Sequence, residues 1–322
     1  MNSVFTHTVV VGAGAVGSYY GAMLARAGHR VTLIGRAPHV AAIERDGLQL
    51  HKGGAVEVVR VGASTELAAV RHADLVLFCV KSTDTDTVGR EMAPHVKPET
   101  LVLSLQNGVD NAPTLAQLVR STVVPTVVYV ATAMPDPGVV QHFGRGDLVI
   151  GPLHAMQAND AAVEQRLLAV VDLFASGDVP VTISPDVMAE LWRKLMVNCA
   201  YNAISGLAQL PYGVMAGVPE VVQLQHAVVR EVVAVANADG VTLDLDASLQ
   251  AMARIATAMP AQHSSTAQDM ARGKRSEIDH LNGTVARRGA ALGVPTPVNQ
   301  ALLALVKLVE AGRAQHVAQP TS

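Results

Sequence analysis

An α/β fold that gives way to an all-helical second domain is predicted by three features of the sequence. Short β-branched runs alternate with helix-forming stretches through the first half, the pattern of a parallel sheet with crossover helices. Within it, Thr8 to Arg36, TVVVGAGAVGSYYGAMLARAGHRVTLIGR, reads as a strand, a glycine turn, a helix and a second strand. From about Asp186 onward the strand signal disappears and long amphipathic stretches take over. Together these give a Rossmann-type dinucleotide-binding domain over residues 1–184 and an all-helical domain over 185–322.

The glycine turn carries the first functional expectation. Gly12, Gly14 and Gly17 follow a β-branched run and open a stretch of helix formers. In a dinucleotide site the first glycine permits the tight turn, the second lets the backbone approach the pyrophosphate, and the third allows close helix–strand packing. The pyrophosphate then rests on a helix N-terminus, where N–H groups and the dipole favour anions. A lone GxGxxG is weak evidence, but here strand Val9 to Val11 precedes it, Gly28 stops the helix, and strand Val31 to Ile34 follows.

The end of that second strand bears on which cofactor is bound. An NAD site usually places an acid about 20 residues past the glycines. Here the position is Gly35-Arg36, and the first acid beyond is Glu44. A guanidinium can grip phosphate oxygens bidentately and stack on adenine, so Arg36 suits the 2′-phosphate of NADPH/NADP+; the plainer reading is a surface arginine after a strand.

Further strands are expected at Leu75 to Val80, Leu101 to Leu105 and Val123 to Tyr129, with Val139 to Phe143 and Leu148 to Ile150 forming a hairpin about Gly-Arg-Gly. Ligands in such sheets bind beyond the carboxyl ends of the strands, which draws attention to Lys81-Ser82 and Gln106-Asn107-Gly108. Helices are expected at Met188 to Ala208, Pro219 to Ala238, Ala247 to Met259, Glu277 to Ala291 and Val298 to Ala311, with a frayed tail after Gly312.

Composition narrows the function. Of 322 residues half are apolar and the formal net charge is −3, enough to bury ample core, with no basic block for nucleic acid or an anionic membrane. No run reaches the roughly 18 apolar residues of a membrane span, and no secretory leader is evident, so a cytoplasmic protein is expected. The two cysteines, Cys79 and Cys199, form neither a CxxC nor a disulfide framework, and the 12 histidines make no HxH or HExxH. No metal is expected, and Arg145-Gly146-Asp147 reads as a turn between strands.

The second informative stretch is ELWRKLMVNCAYN, Glu190 to Asn202. Lys194, Asn198 and Asn202 are spaced i, i+4 and i+8, along one stripe of a helix. Asparagine is a mediocre helix former, so two of them aligned with a lysine suggest a polar lining. A lysine so placed could protonate a developing alkoxide, with Glu277 holding it or the substrate. Spacing alone is equally consistent with a solvent-facing Lys194 paired with Glu190, and with Glu277 simply favouring a helix start after Ser276.

These residues resemble those of the ketopantoate reductase family, the NADPH-dependent 2-dehydropantoate 2-reductases, over nearly the whole chain. The markers are GAGAVG with Arg36, Val80-Lys81, Gln106-Asn107-Gly108, the helix ELWRKLMVNCAYN, and Ser265 through RSEIDHLNG ending at Gly283. The resemblance implies an oxidoreductase of pantothenate biosynthesis that reduces a small 2-oxo acid, with Lys194 as proton donor. It implies that the turn Gly12, Ala13, Gly14, Ala15, Val16 and Gly17 holds the cofactor, and that Arg36 and Lys81 face its charged groups. Asn107 would sit near both nicotinamide and substrate, Asn198, Asn202 and Ser265 would bind substrate, and Glu277 would contact the cofactor or the substrate hydroxyl. Where some members carry a further substrate-binding asparagine, this chain has Tyr212, which leaves open a paralogue reducing another 2-oxo acid. A non-catalytic NADP-binding sensor and a β-hydroxyacid dehydrogenase are the readings from outside that class. The apolar stretch Val221 to Ala238 could pack against a second copy in a homodimer or fill the monomer's own core.

Overall fold

A computed structural model describes residues 4–153 and 160–318. The chain forms two compact units, Met1–Glu190 and Leu191–Ser322.

The first unit is built on ten strands: β1 Thr8–Val11, β2 Val31–Ile34, β3 Leu48–Lys52, β4 Ala55–Val59, β5 Gly62–Ser64, β6 Leu75–Phe78, β7 Leu101–Ser104, β8 Thr122–Ala133, β9 Val139–Ile150 and β10 Val181–Ile183. The sheet runs β4-β3-β9-β8-β7-β6-β1-β2-β5, with β10 beside β9. From β5 to β8 all neighbours are parallel, whereas β8 and β9 pair antiparallel. Such parallel strands are covered on both faces and read as unbroken apolar runs; β1, β6 and β7 are buried at every residue. The chain leaves β1 for β2 and β5 on one side and then crosses to β6 on the other. That reversal at β1/β6 makes the crevice where ligands of doubly wound sheets bind.

Helices α1 Ala15–Arg26, α2 Ala37–Asp46, α3 Thr85–Met92, α4 Asn111–Leu118 and α5 Ala161–Ser176 pack on this sheet. One core layer joins Tyr19, Tyr20, Met23 and Leu24 of α1 to Leu33, Leu77, Leu103 and to Phe174 of α5. The other gathers Val9, Val11, Val76, Phe78, Val102 and Leu115.

The expected hairpin about Gly144-Arg145-Gly146 is corrected: the turn lies between β8 and β9, and these residues sit inside one long strand. The register shifts twice there, with Val130 opposite Arg145 and Tyr129 opposite Asp147, so Gly146 is an extra residue of a β-bulge. Arg145 takes φ +56°, its guanidinium lies 4.2 Å from the Tyr129 ring centroid, and its Nη2 is 2.6 Å from Asp147 Oδ2. A Cβ on Gly146 would lie 2.6 Å from the Tyr19 hydroxyl.

Helices joined by turns and short loops, with no strand, make up the described residues of the second unit: α6 Val187–Ala208, which begins in the first unit's last residues, α7 Tyr212–Ala216, α8 Pro219–Ala238, α9 Leu245–Ala258, α10 Ser265–Ala271, α11 Asn282–Leu292 and α12 Pro297–Ala318. Asp186 caps α6 by accepting from the Ala189 N–H at 3.0 Å. The apolar face of α8, including Val228, Val229, Val232 and Val235, is buried within the chain itself. The single helix expected over Glu277 to Ala291 is instead a 3₁₀ turn at Ile278–His280 and then α11, broken at Leu281 with ψ −102°. α12 runs well past the expected end at Ala311; residues 319–322 of the expected tail lie outside the described residues.

Candidate active site

Each glycine of the first turn meets a distinct constraint. Gly12 adopts φ +98°, and a Cβ there would lie 2.7 Å from the Val80 nitrogen, so only glycine fits between the ends of β1 and β6. At Gly17 a Cβ would fall 2.4 Å from the Gly12 carbonyl oxygen, which accounts for how closely α1 rides on the turn. Beside Gly14, in contrast, a Cβ would meet nothing within 4 Å, leaving the backbone open to close approach. The N–H groups of Gly12 and Ala13 both donate to the Ile34 carbonyl, at 3.1 and 2.8 Å. No side chain caps α1 and no acid lies in its first turn, so the helix N-terminus keeps its preference for an anion. Ala15 and Val16 open α1. Arg36, exposed, follows β2 directly as the N-cap residue of α2. This turn, open beside Gly14 and closed behind Gly12 and Gly17, fits a dinucleotide pyrophosphate.

The loops after β6 and β7 are locked together. Ser82 Oγ and Asn111 Nδ2 donate to the Asn107 carbonyl at 3.2 and 2.6 Å. Gln106 Nε2 donates to the Val80 carbonyl at 3.0 Å and to Thr85 Oγ1 at 2.7 Å, and Thr85 donates on to Asn111 Oδ1 at 2.8 Å. Ser82, Thr85, Gln106 and Asn111 are all buried, where an unmade hydrogen bond costs the full desolvation penalty. The closed network therefore fixes Lys81 and Asn107 at the ends of neighbouring strands. Thr85 and Asn111 had no motif to mark them in the sequence; only the fold brings them to Gln106.

In the second unit the polar stripe of α6 runs from half-buried Lys194 and Asn198 to Asn202, 3% exposed. Asn202 Nδ2 reaches Ser265 Oγ at 3.4 Å, and the Asn202 carbonyl accepts from Ser264 Oγ at 3.2 Å. Ser264 also caps α10 through the Ala267 N–H at 3.0 Å. A Cβ on Gly206 would lie 2.7 Å from Thr266 Cγ2, so a glycine in α6 lets α10 approach and bring Ser265 to Asn202. α6 is held from its other side by Asn282, fully buried, which donates to the Cys199 carbonyl at 3.2 Å and to Asn299 Oδ1 at 2.9 Å. Glu231 in turn accepts from the Asn299 side chain at 2.7 Å.

Glu277 precedes the 3₁₀ turn, half-buried, and Ser276 receives its own anchor from Glu310, whose Oε1 accepts the Ser276 N–H at 2.8 Å. A cavity of about 660 Å³ opens nearby, lined by Met270, Lys274, Arg275, Lys307, Glu310 and Arg313 among others. None of the site residues expected from the sequence lines it. Tyr212 is buried with its ring centroid 4.6 Å from that of Tyr201, and burial pushes its phenol well above the usual range. Burial likewise raises the Cys199 thiol. Among the described residues no cluster of His, Cys, Asp and Glu could hold a metal ion, and no helix is long and apolar enough to cross a membrane.

Comparison with known proteins gives this geometry a family. Residues 8–155 match the family model described as ketopantoate reductase PanE/ApbA, and 186–310 match its C-terminal counterpart. A 2-dehydropantoate 2-reductase of Halobacterium salinarum is 33% identical over 305 residues, covering 94% of this chain and 98% of that protein. The crystal structure of a PanE/ApbA family ketopantoate reductase from Ralstonia eutropha JMP134 superposes with a TM-score of 0.88 at 51% identity, over 96% of this chain and 99% of the other. D-mandelate dehydrogenase with NADH and anilino(oxo)acetate also reaches 0.88, over 96% and 99%, but at 23% identity that likeness is one of fold alone. With both of its units matched and full-length relatives above 30% identity, the chain belongs to the ketopantoate reductase family.

Proposed function

We propose that this chain reduces the C2 carbonyl of ketopantoate to give pantoate, with NADPH as reductant, on the route to pantothenate and coenzyme A. The observation that carries the proposal is the Lys194, Asn198 and Asn202 stripe of α6 ending on Ser265, in a chain of this family. When bound, the reduced nicotinamide supplies the hydride for C2. Lys194 Nζ donates a hydrogen bond to the C2 oxygen, favours the negative charge that develops there, and gives up its proton to form the alcohol. A general acid in that role contributes about 10²–10⁴-fold.

Asn198, Asn202 and Ser265 offer amide and hydroxyl groups to the substrate's carboxylate and hydroxyl, and Glu277 accepts from the substrate hydroxyl or a cofactor ribose. The turn from Gly12 to Gly17 cradles the pyrophosphate, Arg36 grips the 2′-phosphate, and Lys81 faces the same charged groups. Asn107, its backbone fixed by Ser82 and Asn111, orients nicotinamide and substrate.

The proposal extends to a cytoplasmic setting and a homodimer. Leu305 and Leu308 on α12 are 48% and 68% exposed, apolar surface that a second copy would cover; sedimentation of the purified chain reads that state.

The test is consumption of NADPH with ketopantoate and a panel of other branched 2-oxo acids. Strong preference for ketopantoate, with pantoate formed in equal amount, is the expected result. Preference for another acid would keep the Lys194 chemistry and move the substrate. Tight NADPH binding without turnover would favour a sensor, and NADP+ reduction by hydroxy acids alone would favour a dehydrogenase.

A further inference from the structure

The glycine turn is held from behind by a buried histidine that no motif marks. His39, 6% exposed, lies in the first turn of α2. The Gly138 N–H, at the turn between β8 and β9, donates to His39 Nδ1 at 2.8 Å. With Nδ1 the acceptor, Nε2 carries the proton and donates to Ser18 Oγ at 3.3 Å. Ser18, fully buried in α1, donates onward to the Ala13 carbonyl, also at 3.3 Å. Burial lowers the His39 pKa, which keeps the ring in the neutral form this relay requires.

The last acceptor is what gives the relay its meaning. The Ala13 carbonyl shares one rigid peptide plane with the Gly14 N–H, which itself donates to Gly12 O at 2.8 Å. Holding that carbonyl sets the tilt of the peptide beside the open face of Gly14. Space behind it is closed as well, since a Cβ on Gly35 would lie 2.9 Å from Ala13 Cβ and 3.4 Å from His39 Cδ2.

We infer that His39 is a positioning residue for dinucleotide binding, acting through Ser18 on the Ala13–Gly14 peptide of the glycine turn. The inference rests on the cofactor reading above. It places the effect at the pyrophosphate end, so both reduced cofactors feel it equally, whereas Arg36 reads only the 2′-phosphate.

Titration of the full chain with NADPH and with NADH tests it, in the wild type and in His39→Phe, His39→Gln, Ser18→Ala and the Ser18→Ala/His39→Phe pair. Loss of one buried hydrogen bond of this kind weakens binding roughly tenfold. His39→Phe and Ser18→Ala should each raise both dissociation constants by about that factor with their ratio unchanged. The pair should be no worse than either alone, and His39→Gln, which keeps a donor toward Ser18, should recover most of the affinity. Turnover at saturating NADPH should stay near wild type, a split that general loss of packing would not give. If His39→Phe fails to fold, Ser18→Ala carries the test. Unchanged affinities in folded variants, or losses that multiply in the pair, overturn the inference while the cofactor reading stands. A wild-type chain that binds neither cofactor overturns both.

Discussion

Asn202 donates from Nδ2 to the hydroxyl of Ser265 across 3.4 Å, joining a buried position of α6 to the first residue of α10. In the proposed mechanism both groups turn to the substrate. Asn202→Ala and Ser265→Ala should each raise KM for ketopantoate by about tenfold, the worth of one net hydrogen bond to a charged group. Because the two touch, the double variant should lose less than the product of the singles. Fully multiplicative losses in steady-state kinetics would mean that they act separately.

Arg36 stands exposed at the N-cap of α2, directly after β2. If Arg36 grips the 2′-phosphate as proposed, replacing it with aspartate removes a charge-assisted contact and adds repulsion. Arg36→Asp should weaken NADPH by roughly 10- to 100-fold while leaving NADH unchanged or improved. Parallel titrations with the two cofactors decide it, and an unchanged preference would give the 2′-phosphate to another group.

Gly12 combines φ +98° with a Cβ position 2.7 Å from the Val80 nitrogen. Gly12→Ala therefore meets both strain and a backbone clash and should cost about 1–3 kcal/mol or more of stability, along with cofactor affinity. Gly14→Ala, where a Cβ points into open space, should keep wild-type thermal stability and lose affinity alone. Thermal melts with NADPH titrations compare the two, and equal destabilisation would contradict the distinction.

His7, His29 and His39 all have pKa values lowered chiefly by burial. A histidine held below its unfolded value of about 6.5 binds its proton more readily in the unfolded chain. Its contribution is thus complete above about pH 6.5 and declines as pH falls through the lower folded value. Melting temperature should drop from about pH 7 toward about pH 5, with a shallower slope in His29→Gln. A profile that is flat or rises toward acid would contradict these shifts.

Much of this arrangement was legible in the residues themselves, and what was not has physical causes. The turn after β1, the end of β2 and the whole of α6 and α8 are local patterns: β-branched runs, glycines and 3.6-residue periodicity report them directly. β5, Gly62-Ala63-Ser64, has no strand propensity and exists because β2 offers it a parallel edge. The bulge at Gly146 reads as a turn in sequence because glycine marks both; pairing with β8 makes it strand. His39 and Gly138 are 99 residues apart, and no spacing rule connects them. The Lys194 stripe was visible as a pattern, whereas the closing contact at Ser265 depends on Gly206 admitting α10.

In the proposed reaction this chain reduces ketopantoate through Lys194. The most direct measurement is NADPH-dependent pantoate formation by the wild type and by Lys194→Ala, side by side, with NADPH binding measured in both. Rapid turnover in the wild type, a fall of roughly 10²-fold or more in kcat, and unchanged NADPH affinity are the predicted results. Near-normal pantoate formation in Lys194→Ala, or none in the wild type, would contradict it.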